Sequence, residues 1–196
     1  MVICGPISID SVPPVSWKNG GGTTRTLVVE PAGAGLDDFL WRISMAEIHA
    51  SGSFSAFPGI ERTILLWHGE GVVLRSPAWP EHALTGLYQP FGFGGEEDVT
   101  CELVGGSTVD LNLMVRRGVA RTTIHIQKTE ILFADPGDDI IVICAAGSAH
   151  ILLDDRPELA LEAGQFLRIS QLGEGVTIIP EGAGATVICM IVRLLD

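Results

Sequence analysis

Basic residues are scarce in this 196-residue chain: 12 lysines and arginines face 24 acidic residues, for a net charge of −12 and a pI near 4.7. Such a field repels phosphate backbones and anionic lipid, so neither nucleic acid nor a membrane is an expected partner. A small anionic ligand stays open, because a local arginine cluster can override the global sign. Charged residues make up only 18% and hydrophobic ones 46%, with a mean hydropathy of +0.37. That balance excludes intrinsic disorder. Uninterrupted apolar runs fall far short of the ~18 residues that span a bilayer. The opening MVICGPISID has no basic residue before Lys18 and carries Asp10, unlike a signal peptide. Only four cysteines occur, Cys4, Cys101, Cys144 and Cys189, scattered without a C-x-x-C pair. The last three sit among apolar residues, as buried reduced thiols of a cytoplasmic protein do.

Glycine is abundant, with 24 residues, beside 11 prolines. Apolar spacing of the helical kind is missing, and short β-rich runs recur between Gly, Pro and Asp clusters. The pattern predicts strands over 26–30, 40–49, 62–67, 71–75, 99–104 and 109–116. It predicts others over 121–127, 139–145, 149–154, 165–169, 176–179 and 185–194. A dozen strands so spaced imply an all-β sandwich or barrel. The halves resemble each other: Ile64–Leu74 and Ile141–Leu153 both read as strand, glycine turn, strand, about 77 residues apart. In the second half, G-S-A-H-I-L-L-D-D followed by L-A-L-E-A-G-Q-F-L-R-I is similar to a cupin core. The expected architecture is a duplicated cupin, two jelly-roll barrels over 1–120 and 121–196, closely packed as a single unit.

Metal-binding cupins use an H-x-H pair, since imidazoles two apart on a strand share a face. His49, His68, His82, His125 and His150 never fall within five residues of one another. No metal and no other cofactor is expected, and His150 stands without a partner of that kind. No G-x-S-x-G nucleophile motif occurs, and Gly20-Gly21-Gly22-Thr23-Thr24 lacks the ending of a phosphate-binding loop. In Trp17-Lys18-Asn19-Gly20-Gly21-Gly22-Thr23-Thr24-Arg25, consecutive backbone N–H groups could cradle an anion beside Lys18 and Asn19, with Trp17 as an apolar wall. The same run also reads as a flexible loop with solvated charges. Alternation puts Asp110, Asn112, Met114 and Arg116 on one strand face and Leu111, Leu113 and Val115 on the other. Arg42 and Ser44 oppose Trp41, Ile43 and Met45 in the same way. The polar face either meets solvent or lines a barrel interior holding Arg42, Asp110, Asn112 and Arg116. In Gly52–Arg62, Phe54 and Phe57 read as core plugs, and Arg62 as a partner for Glu61 or another carboxylate.

Six segments taken together resemble the HutD/Ves family: W-K-N-G-G-G-T-T-R (17–25), W-R-I-S (41–44), G-S-F-S-A-F-P-G-I-E-R (52–62), L-L-W-H-G-E-G-V-V-L (65–74), P-F-x-F-x-G-E (90–96) and D-L-N-L-M-V-R-R (110–117). Leu111 departs from the aromatic commoner there, but it lies on the apolar face. The resemblance implies a bicupin without metal ligands, bacterial, often encoded with histidine-utilisation genes, and non-enzymatic or of undefined activity. Ves-type members are linked instead to cold and stress response. The resemblance also implies that Lys18, Asn19, Arg42, Arg62, Asp110, Asn112 and Arg116 converge on one cavity. The expected role is an accessory or regulatory protein that binds a carboxylate such as urocanate or formylated glutamate. The full candidate set is Trp17, Lys18, Asn19, Gly21, Gly22, Arg42, Phe57, Arg62, Asp110, Asn112 and Arg116. Two alternatives stand beside it: a metal-independent isomerase or hydrolase with Asp110 or Glu61 as base, and an acidic module that docks a basic partner. An exposed edge strand would allow a homodimer.

Overall fold

A computed structural model describes residues 1–133, 137–153, 156–173 and 175–195. Along the chain run β1 (Val2–Ser8), β2 (Val15–Ser16), β3 (Gly22–Glu30), β4 (Trp41–Ile48), β5 (Gly52–Ser53), β6 (Ile60–His68), β7 (Val72–Ser76), β8 (Trp79–Leu84) and β9 (Pro90–Gly94). They continue as β10 (Thr100–Leu103), β11 (Thr108–Arg116), β12 (Ala120–Gln127), β13 (Ile131–Phe133), β14 (Asp139–Leu153), β15 (Leu159–Glu162), β16 (Gln165–Ser170) and β17 (Val176–Leu194). Among the described residues the only helical element is a short 3₁₀ turn at Ile9–Ser11. No described helix is long and apolar enough to cross a membrane. The all-β expectation holds.

The chain divides into two compact units, residues 12–120 and residues 1–11 with 121–196. The first eleven residues, expected in the N-terminal barrel, therefore belong with the C-terminal half. There β1 pairs antiparallel with β16, Val2 opposite Ser170 and Ser8 opposite Gln165. Nothing local in MVICGPIS announces a partner more than 150 residues away.

In the unit 12–120, one sheet runs β2-β3-β4-β11-β6-β9 and another β5-β10-β7-β8. Side chains directed between them form an apolar core of Ile48, Ile64, Leu66, Val72, Leu74, Leu84, Phe93, Val99 and Cys101. The chain changes sheet between β6 and β7, where Gly69 and Gly71 take φ of +98° and +92°. A Cβ on Gly71 would run into the Leu84 carbonyl, so only glycine suits this corner. Strands β8 and β9 escape the alternation pattern because Pro80 and Pro90 interrupt their polar–apolar rhythm.

In the other unit the sheet order is β1-β16-β14-β17-β12, with β13 on β17 and β15 on β14. Its core includes Ile140, Val142, Cys144, Ile151, Leu161, Leu167, Val176, Ile178 and Val187. The sequence pattern divides 139–154 at a glycine turn, and 176–194 likewise. Each stretch is instead one long strand, β14 and β17, paired along their lengths. Gly147, at φ +73°, falls where the register between β14 and β17 shifts, between Cys144 and Ser148. The glycine thus absorbs a β-bulge where a hairpin was expected. Asp154, the last residue of the expected strand 149–154, lies outside the described residues.

Candidate functional site

Directly paired residues of antiparallel strands share a face, so register fixes what projects into the first barrel. Thr24, Ala46, Asp110 and Leu66 form one row across β3, β4, β11 and β6. Thr26, Ser44, Asn112 and Ile64 form the next, and Val29, Arg42, Met114 and Arg62 the third. Phe93 of β9 stands opposite Arg62 and extends that row. The polar face of β11 does not meet solvent. Asp110 is 0% exposed, Asn112 5% and Arg62 8%. Arg42 and Arg62, one strand either side of Met114, start about 10 Å apart at their Cα atoms.

Arg62 occupies an aromatic cage, its guanidinium carbon 4.9 Å from the Phe93 ring centre, 5.1 Å from Phe54 and 5.7 Å from Phe57. Its Nη2 donates to Asn112 Oδ1 at 3.2 Å, while Nε, also buried, has no hydrogen-bond partner. Arg42 donates to Thr26 Oγ1 at 2.8 Å through Nη2 and lies 3.9 Å from Met114 Sδ through Nη1. Among the described residues, no carboxylate forms an ion pair with either arginine. Burial and then the charge of Arg42 bring the Arg62 guanidinium down to about 10, and Asp110 opposes the shift. Burial lowers Arg42 as well. Asp110 is the acid of this interior, and neither of its oxygens has a hydrogen-bond partner. Burial pushes its carboxyl up to about 7 against the pull of Arg62. Cys101 is close enough for that carboxylate to add to the burial that raises its thiol to about 12. Such a thiol is a poor nucleophile.

The glycine-rich run is not an anion cradle. Gly20 N–H donates to the Trp17 carbonyl, Gly21 N–H to Asn19 Oδ1 at 3.0 Å, and Gly22 enters the β3–β4 ladder. Its donors are spent on closing a tight turn, and Lys18 is exposed on that turn. The glycines serve close packing: a Cβ on Gly22 would strike the Glu47 carbonyl and approach the Trp17 ring at 3.1 Å. Gly22→Ala should therefore cost about 1–3 kcal/mol in denaturant unfolding. Trp17, whose Nε1 donates to Thr24 Oγ1 at 2.7 Å, should show an altered environment in near-ultraviolet circular dichroism. An unchanged midpoint would return the run to a loose loop.

Trp17, Asn19 and Gly21 do line a cavity of about 110 Å³, together with Ile48, Phe54 and Cys101. Arg116, expected from alternation to line the same interior, does not join Asp110. It sits beyond the Arg42–Arg62 row, at the strand end, and donates to the backbone carbonyls of Phe39 at 3.2 Å and Asp37 at 3.0 Å. Glu61, the other candidate base, is exposed and paired with Arg117. Its neighbour Arg62, read from sequence as its partner, turns inward instead. Asn112, Phe57, Arg42, Arg62 and Asp110 thus come together, with Trp17, Asn19, Gly21 and Gly22 at the adjoining cavity and turn. Phe93, missed by the sequence reading, completes the cage; its alternation with Phe91 was the available signal. In the second barrel His150 bonds to Glu158 and to Glu181, the latter at 2.7 Å. Among the described residues no cluster of three or more His, Cys, Asp or Glu could hold a metal ion.

Two β-sheet units of this topology define a bicupin. An oxalate decarboxylase from Lactobacillus farciminis, 7% identical, superposes over 95% of this chain and 85% of its own with a TM-score of 0.65, a likeness of fold alone. The chain belongs to the HutD family, whose model matches residues 10–187. HutD from Pseudomonas fluorescens SBW25 superposes with a TM-score of 0.84 over 96% of this chain and 97% of its own, at 26% identity. Protein Ves of Citrobacter koseri is 36% identical over 140 residues, 70% of this chain and 72% of that protein. A 21.2 kDa protein from the hutC 3′ region of Pseudomonas putida is 42% identical over 102 residues. That match spans 52% of this chain and about half, 53%, of the relative.

Proposed function

We propose that the first barrel binds a compact carboxylate, and that the protein is a non-catalytic accessory or regulatory component of histidine breakdown in the cytoplasm. The observation that carries this reading is the Arg42–Arg62 pair, two inward guanidiniums in one row with no carboxylate partner among the described residues. An interior of two cations and one unpartnered acid, within a chain of net charge −12, favours an anionic guest. A guanidinium fork matches a carboxylate in two hydrogen bonds. The hutC-region relative and the HutD fold neighbour support histidine breakdown as the context. Urocanate and formylated glutamate are accordingly the ligands to try.

A ligand that binds only the folded state adds about 2.7 kcal/mol at a hundred times its Kd. For a domain of this size that corresponds to a rise in melting temperature of roughly 5–11 °C. Urocanate or formylated glutamate should give such a shift, and folded Arg42→Met and Arg62→Met variants should lose most of it. A flat response to both compounds would remove the carboxylate reading. Product formation from either would replace binding by catalysis, with Asp110 as the candidate base.

A further inference from the structure

We infer that the outer face of the second barrel is a docking surface for a protein segment that presents apolar side chains beside lysine or arginine. The face belongs to β13, the first part of β17, the last part of β14, and β15, which lie side by side in that order. Alternation divides their residues between two sides. Ile131, Ile178, Ile151 and Leu159 share a row and point to the core. The next row, Leu132, Thr177 and Leu152, projects outward. Leu132 is 62% exposed and Leu152 39%. Two strands apart, they stand about 10 Å from each other. The outward row beyond holds half-buried Ile179 opposite His150, and His150 opposite exposed Ala160. Single exposed leucines are ordinary on a protein surface. Two in one row, continued by Ile179, form a contiguous apolar patch of the kind that partners cover.

Charge identifies the occupant. Glu181 and Glu162 occupy the following outward row, either side of Ser148. His150 Nε2 lies 2.7 Å from Glu181, and Nδ1 bonds Glu158, which immediately precedes β15. An imidazole that donates to two carboxylates at once is the cation, so one positive charge stands here against three negative ones. No lysine or arginine occurs in residues 131–133, 148–153, 158–162 or 176–181. A second copy of this chain would bring the same acids against one another, and anionic lipid and nucleic acid are repelled in the same way. A segment with basic side chains is attracted. Glu181 is four residues along β17 from Thr177, which sets the acids roughly 13 Å from the leucine row. The apolar strip supplies the buried centre of such a contact, and the glutamates supply its polar rim.

The test uses two synthetic amphipathic peptides, one of leucine and lysine and one of leucine and glutamate, with binding to the full chain followed calorimetrically. The Leu/Lys peptide should bind the parent protein and the Leu/Glu peptide should not. Leu132→Thr combined with Leu152→Thr keeps a strand-forming residue at both exposed positions. That variant should bind the Leu/Lys peptide at least about tenfold more weakly, because two leucines no longer leave water on docking. Glu162→Lys combined with Glu181→Lys should abolish that binding and let the Leu/Glu peptide bind instead. Attraction to the net charge of −12 alone would leave the threonine variant binding like the parent, and that result overturns the proposal. Absence of binding by the parent also overturns it. So does a parent that dimerises in sedimentation equilibrium and becomes monomeric in the threonine variant, since the face would then meet a second copy.

Discussion

Asp110→Asn should stabilise the folded protein above neutral pH and flatten part of its stability profile. The folded-state carboxyl lies near 7, against 3.8 for a free aspartate. Below about pH 4 this group is protonated whether the chain is folded or unfolded, and it imposes no penalty. As pH rises through 4 to 7 the unfolded chain releases its proton while the folded one holds it, so stability falls steadily. Above 7 both states are ionised and the loss is complete. About three pKa units at 1.36 kcal/mol each place a ceiling of roughly 4 kcal/mol on it. The neutral amide has no such titration, so the difference in unfolding free energy between variant and parent should grow from pH 4 to 7 and then level. A difference that stays constant with pH would mean that Asp110 titrates as an ordinary carboxylate.

Phe93 carries the other large effect. It is 5% exposed, belongs to the barrel core, and lies nearest of the three rings to Arg62. Phe93→Ala should cost about 3–5 kcal/mol in denaturant unfolding, through lost burial and the cavity left behind. Phe93→Leu restores most of the apolar volume but not the π face. It should keep a deficit of about 2 kcal/mol, the scale of a desolvated cation–π contact. A leucine variant as stable as the parent would show that the Phe93 π face adds nothing to what Asn112, Phe54 and Phe57 already supply to Arg62.

What could be read in advance follows from the range of the interactions involved. The alternation in Val109–Arg116 and Trp41–Ser44 is a property of each strand by itself, and it gives each a polar face, one bearing Asp110 and Asn112 and the other Arg42; register joins them into one. It could not say whether that face meets solvent, because the covering sheet β5-β10-β7-β8 is assembled from other parts of the chain. Arg116 obeys the same alternation, but at a strand end the adjacent loop at 37–39 claims its guanidinium. From its immediate neighbours alone Arg62 reads as a partner for Glu61 or another carboxylate, and it is the family resemblance that puts it in a cavity; in a strand, neighbours point to opposite faces. The glycine run misled for a related reason. Three successive N–H groups are potential donors to an anion until Trp17 and Asn19, both within three residues, accept two of them.

The corner at Gly69–Gly71 sets the two barrels apart mechanically. In the second unit, β14 and β17 run unbroken through the bulge at Gly147, and β14 pairs with β16 along one half and β15 along the other. Backbone hydrogen bonding is thus continuous from one end of this unit to the other. In the first unit the chain passes from sheet to sheet through breaks between strands, among them the one between β6 and β7 and the one between β10 and β11, where residues 104–107 intervene. The sheet β5-β10-β7-β8 shares no backbone ladder with the arginine-bearing sheet among the described residues; the two are joined through the apolar core between them, with Phe54 packed against Arg62 at its edge. The barrel with the charged interior is thus the one whose two walls meet through side chains rather than through a shared ladder.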